Sequence, residues 1–236
     1  MKTKRLIFCT NSSLYSSYIL EGILSSEAFR RGDIELVGVF LSKRIRTKTG
    51  GFVDDIMRVI KASGIKYALY LAAYSLFFEL CRFSNFRPTA SALCQKHGID
   101  LYKSKDINAE ASLSWLKSKM PDVLLSGFFN QKLSEETLSI PDLAAVNLHP
   151  ALLPLYKGVD PVFFYFLNSE PTLGVSLHQM DITYDTGEIL RSSEMGIQQS
   201  RSVSWHNLEL FKLGTTLFLE WLNETEATLN LSLIHI

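Results

Sequence analysis

Residues Pro121 to Pro150 read PDVLLSGFFNQKLSEETLSIPDLAAVNLHP. Two apolar, strand-like runs, Pro121 to Phe129 and Ala144 to Leu148, stand on either side of a helical turn or two at Leu133 to Leu138. The same rhythm opens the chain. Arg5 to Thr10 (RLIFCT) and Ile34 to Leu41 (IELVGVFL) flank a segment with helical spacing at Tyr18, Ile19, Gly22, Ile23 and Ser26. This alternation implies an α/β fold, a mainly parallel sheet with helices on both faces. In such sheets ligands bind at the carboxyl ends of the strands.

The second strand-like run passes into Asn147 to Gly158, NLHPALLPLYKG. Asn147 and His149 are two positions apart, so both side chains point to the same side of the strand if it persists through them. An amide N–H is a neutral donor suited to a carbonyl oxygen that gains negative charge, and histidine moves a proton near neutral pH. Pro150 and Pro154 restrict the loop that follows. The pair reads as an oxyanion donor beside an acid/base. A second constellation, Gly174 to Glu188 (GVSLHQMDITYDTGE), is an alternating strand leading into a turn that bears Asp181 and Asp185 before Gly187. A carboxylate from that D-x-G turn, if near His149, raises the imidazole pKa and fixes its orientation. Either motif alone is more often structural than catalytic.

Composition narrows the rest. The 236 residues, 47% of them hydrophobic, suffice for one large domain. Lys+Arg and Asp+Glu are both 24, so no net charge steers the whole chain to nucleic acid or an anionic membrane. The three cysteines, with no C-x-x-C pair, suit a reducing compartment. Cys94 and His97 lack the companion pair that zinc needs, so no metal is expected. The apolar run after the basic start is too short for a signal peptide, and a cytoplasmic location is expected. Tyr67 to Cys81, the longest apolar run, falls short of the roughly 20 residues of a membrane span and contains Glu79. Thr10 to Ser17 contains no glycine, which argues against a dinucleotide loop after the first strand. Residues 51–98 read as a helical insertion or extended crossover, with breaks near Gly64 and at Asn85 to Pro88. A final amphipathic helix carries Leu210, Leu213, Leu217 and Trp221 on one face.

Joined, N-x-H-P-x-L-L-P-x-Y-K-G and G-V-S-x-H-x-M-D-x-x-x-D-T-G resemble the catalytic domain of the folate-dependent formyltransferases. The likeness is specific over about residues 121–190 and diffuse over the first 45. It implies a Rossmann-like catalytic domain over 1–230, with 10-formyltetrahydrofolate as co-substrate and a primary amine as acceptor. Asn147, His149 and Asp185 fall on the family's catalytic positions: Asn147 and protonated His149 would stabilise the tetrahedral oxyanion while Asp185 holds His149 and relays the amine proton. The resemblance further implies that Gly127, Phe128, Leu133 and Asp181 line the pteridine pocket. Tyr156, Lys157, Gly158 and His178 are the expected acceptor contacts.

The family includes enzymes acting on glycinamide ribonucleotide, methionyl-tRNA and nucleotide-linked amino sugars, as well as formyltetrahydrofolate hydrolases. The loop after the second strand carries Lys43, Arg44, Arg46 and Lys48, a patch able to meet tRNA phosphates. Zero net charge and the absence of an Arg-rich form of the loop after Pro154 favour a small amine, such as a nucleotide-linked amino sugar. Methionyl-tRNA is the alternative, a hydrolase would keep the same three residues, and a non-catalytic folate- or partner-binding module is the reading from a different class. The last residues, Leu231 to Ile236 (LSLIHI), resemble the in-frame translation of a sequencing-library adapter. They are expected to be a non-native tail, with the natural chain continuing beyond about Asn230.

Overall fold

Leu6 and Phe8 belong to one hydrophobic cluster, Ile7 and Cys9 to another, so β1 (Lys4–Asn11) is buried on both faces. An apolar run without polar alternation is what a central parallel strand requires. The computed structural model describes residues 3–43, 57, 60, 61, 64–69, 72, 73, 76 and 88–234, with side chains to 224. Around β1 lies a seven-stranded sheet in the order β3-β2-β1-β4-β5-β6-β7. Its other strands are β2 (Ile34–Ser42), β3 (Leu101–Ser104), β4 (Val123–Gly127), β5 (Ala144–His149), β6 (Thr172–Gln179) and β7 (Ile189–Gly196). The pairings from β3 through β5 are parallel, while β6 runs antiparallel to β5 and β7 antiparallel to β6.

The chain winds outward from β1 to β3 and then returns to β4 on the other side of β1. The carboxyl ends of β1 and β4 therefore flank a topological switch point, where the two windings part and leave a crevice. On one face of the sheet α1 (Leu14–Ser25) packs through Ile19, Leu20 and Ile23 against Phe211 and Phe218 of α7 (Val203–Ile234). The same cluster takes in Leu93 of α3 (Ala90–His97). On the opposite face Leu116 of α4 (Glu110–Ser118) packs with Ile7, Phe40 and Leu124. Serine and glycine set the helix ends: Ser13 caps α1 by accepting the Ser16 N–H at 3.0 Å, and α2 (Glu27–Arg31) ends on Gly32 at φ 79°. Short α5 (Glu135–Leu138) is capped by Ser134, and α6 (Pro161–Leu167) begins with a proline.

The expected mainly parallel sheet between helical layers is therefore found, with β3, α4 and β7 added where sequence reading singled out no element. Within 51–98 the described residues 57, 60, 61, 64–69, 72, 73 and 76 are helical, as is α3. Pro88, Thr89 and Gly98 flank that helix, and the remaining residues of the expected insertion lie outside the described residues. So do Arg44, Arg46 and Lys48 of the basic loop; Lys43 is exposed at the end of β2. Helix α7 continues to Ile234, and 235–236 lie outside the description. No helix among the described residues is long and apolar enough to cross a membrane.

Candidate active site

β5 delivers Asn147 and His149 to the crevice at its carboxyl end, and β6 adds a third polar group. The antiparallel register pairs Asn147 with His178 and His149 with Ser176. Cross-strand partners stand side by side on one face, so the Asn147 amide comes within 3.1 Å of His178 Nε2. His178 Nδ1 lies 2.7 Å from the Gln179 carbonyl, which can only accept. The proton therefore sits on Nδ1, and Nε2 accepts one of the two Asn147 N–H groups.

His149 is oriented by backbone. Its Nε2–H donates to the Tyr156 carbonyl at 2.9 Å, which leaves Nδ1 as the nitrogen with a lone pair. Asp185 arrives from the turn after β6, in the left-handed region at φ 54°. Gly187 permits that turn: a Cβ there would lie 2.0 Å from the Gln179 carbonyl oxygen. Asp185 Oδ2 accepts the Gly158 N–H at 2.8 Å, and Oδ1 stands 3.6 Å from both His149 Nδ1 and His178 Nε2. One carboxylate thus faces two imidazoles just beyond hydrogen-bond range.

Burial decides the proton affinities. His149 is 4% exposed, and its desolvation lowers the imidazole pKa more than Asp185 and the Tyr156 carbonyl raise it. The carboxylate does raise the imidazole pKa, as expected from the sequence, but burial outweighs it. For Asp185 burial pushes the carboxyl up, but His178, the charge that His149 carries once protonated and the Gly158 N–H outweigh it and hold the group below the usual carboxylate range. The resting pair is consequently a neutral imidazole beside a carboxylate.

These groups open into a cavity of about 600 Å³, within the size range of small-molecule sites. Phe128, Phe129, Leu133 and Met180 give it an apolar wall. Of the expected cofactor contacts, Phe128, Leu133 and Asp181 line this space. Gly127 lies behind the lining, where a Cβ would meet Ile19 Cδ1 at 2.8 Å. Of the expected acceptor contacts, Gly158 and His178 line the cavity. The Tyr156 side chain turns away: its hydroxyl donates to Glu170 at 2.6 Å and its ring centroid lies 4.1 Å from that of Tyr165. Lys157 is exposed and is not part of the cavity lining.

The loop after β4 is anchored by Gln131, which donates to Ser42 Oγ at 2.6 Å and accepts the Ile107 N–H at 2.8 Å. Across the mouth, the Lys132 ammonium sits 4.7 Å from the Tyr184 ring centroid, a cation–π contact joining the two rim loops. Sequence reading missed Asn11 and Tyr15, which also line the cavity. Asn11 Oδ1 is buried with no hydrogen-bond partner among the described residues, and the Tyr15 ring packs edge-on to Phe128 at 5.0 Å. Their position just past the carboxyl end of β1 was the available signal. Among the described residues no cluster of His, Cys, Asp or Glu could hold a metal ion.

An asparagine, a histidine and a carboxylate converging at the switch point of a doubly wound sheet define a site equipped for proton transfer to a bound small molecule. The chain belongs to the formyl transferase family, whose model matches residues 53–220. It is 30% identical over 141 residues to the methionyl-tRNA formyltransferase of Halothermothrix orenii, covering 59% of this chain and 45% of that protein. It is 38% identical over 104 residues to the bifunctional polymyxin resistance protein ArnA of Wigglesworthia glossinidia brevipalpis, covering 44% of this chain and 16% of that one. The chain thus spans less than half the length of these relatives. The phosphoribosylglycinamide formyltransferase structure from Bacillus halodurans superposes with a TM-score of 0.64 at 16% identity, over 94% of this chain and 95% of the other. At that identity the likeness is one of fold.

Proposed function

We propose that this chain transfers a formyl group from 10-formyltetrahydrofolate to the primary amine of a small acceptor, such as a nucleotide-linked amino sugar. The observation that carries the reading is the convergence of Asn147, His149 and Asp185 on one cavity at the carboxyl ends of the strands. The aromatic and aliphatic wall of Phe128, Phe129, Leu133 and Met180 suits a flat pteridine, and Asn11 Oδ1 offers an acceptor that has no donor among the described residues. When bound, 10-formyltetrahydrofolate supplies the formyl carbon that the amine nitrogen attacks.

The chain's own groups then have distinct tasks. Asn147 uses one N–H on His178 and keeps the other for an oxygen gaining negative charge. His149 Nδ1, unprotonated at rest, takes the proton that the attacking amine loses and returns it to the folate N10 as the bond between the formyl carbon and N10 breaks and tetrahydrofolate leaves. The imidazolium so formed lies between the Tyr156 carbonyl and Asp185, which stabilise it. Positive charge therefore develops beside the site at the moment negative charge needs it. No covalent bond to the protein is required.

A small acceptor is supported by the equal numbers of cationic and anionic residues and by the loop Gly158 to Pro161, which encloses one side of the cavity. The test is tetrahydrofolate release from 10-formyltetrahydrofolate, with a panel of amino sugar nucleotides, with glycinamide ribonucleotide, with methionyl-tRNA and with no acceptor. Release that needs a small amine and changes little with salt is expected. Release that needs methionyl-tRNA and weakens steeply with salt would transfer the reading to tRNA. Acceptor-independent release would make the chain a hydrolase.

A further inference from the structure

The loop from Tyr156 to Asp160 orients two ionisable groups of the site by its backbone, through the Tyr156 carbonyl on His149 and the Gly158 N–H on Asp185. It does so in an unusual conformation. Tyr156 (φ 52°), Gly158 (φ 96°) and Asp160 (φ 53°) all occupy positive φ, and non-glycine residues hold such angles only where their surroundings over-determine them.

One end of the loop is tied down by Tyr156, whose hydroxyl donates to Glu170. The other end is met from far away in sequence. Asp160 occupies the N-cap position of α6, yet its side chain makes no capping hydrogen bond to the helix. Asp160 Oδ2 instead accepts from the Tyr67 hydroxyl at 2.8 Å. Tyr67 is 4% exposed, and its ring packs against those of Phe163 and Phe164 with centroids 5.1 Å and 5.9 Å away. The ring contacts would suffice for packing. A buried hydroxyl aimed at a carboxylate on the cavity wall adds a directional, charge-assisted bond.

We propose that Tyr67 is a positioning residue: by holding Asp160 it fixes the 156–160 loop and hence the mutual orientation of His149 and Asp185. Tyr67 thereby completes the site without touching the reacting atoms. This inference rests on the proton-transfer role proposed above for His149 and Asp185.

The test uses the full chain with Tyr67→Phe, which keeps the ring against Phe163 and Phe164 and removes only the hydroxyl. We expect kcat to fall about tenfold while KM for the folate changes less than about twofold, because geometry rather than binding is lost. Asp160→Asn, which weakens the same bond from its other end, should give a similar loss, and the double variant should be no worse than either single one. The spectroscopic signature is the His149 Nε2–H proton held to Tyr156: its exchange with solvent should accelerate in both variants at conditions where they remain folded. Wild-type kcat and wild-type exchange in Tyr67→Phe would overturn the inference. His149→Ala separates it from the reading beneath it. Full activity in His149→Ala refutes the catalytic assignment itself, whereas loss there with wild-type behaviour in Tyr67→Phe refutes only the role of Tyr67. In the absence of turnover with any acceptor, the exchange rate alone decides.

Discussion

At His149 the Nε2–H is occupied by the Tyr156 carbonyl and Nδ1 faces Asp185, so the ring has one working nitrogen. Burial sets its affinity below the ordinary value of 6.5. The unfolded chain titrates at the ordinary value, so between the two the unfolded state binds more protons. Stability from this group is complete above about pH 6.5 and is lost as pH falls through the lower folded value. Denaturant unfolding at a series of pH values should show that slope, and His149→Gln, which retains an N–H for Tyr156, should remove it. The acid limb of kcat/KM should likewise have its midpoint below 6.5; a midpoint above it would contradict the neutral resting imidazole. The identities of Asn147, His149 and Asp185 were legible because each stands in a short local pattern. That Tyr156 contributes its carbonyl rather than its ring was not, because a backbone group is the same in every residue.

The β6 turn shows how one element aims a functional group. Gly187 faces the Gln179 carbonyl so closely that any side chain forces the turn open. Gly187→Ala should therefore displace Asp185, lowering kcat by about a hundredfold and stability by about 1–3 kcal/mol. Activity assays and thermal melts of the same preparation check both; a variant with wild-type kcat would show that the turn does not aim the carboxylate. The D-x-G pattern announced this turn because the geometry is local. Other elements announced themselves less. β3 has four residues, none of them buried, and β7 lies at a sheet edge and mixes polar with apolar residues. Each depends on its neighbouring strand more than on its own periodicity. The contact between Tyr67 and Asp160 spans 93 positions, and no local pattern encodes it.

For the molecule as a whole, the sheet order places the cavity. The return of the chain from β3 to β4 brings Asn11, Phe128 and His149 to adjacent strand ends, although they are distant in sequence. Alternation of strand-like and helical stretches sufficed to anticipate the layers, while the two antiparallel strands that bring His178 opposite Asn147 had to be seen in three dimensions. The family match begins at residue 53, yet β1 precedes it and its last residue, Asn11, lines the same crevice. We propose that this crevice moves a formyl group by proton transfer through His149 and Asp185. This is tested most directly by following labelled formyl from 10-formyltetrahydrofolate to an amine acceptor in the wild-type chain, in His149→Ala and in Asp185→Asn. Transfer by the wild type and losses of at least about a hundredfold in kcat for each variant are expected, with folate binding retained. Transfer at wild-type rates in either variant would contradict it.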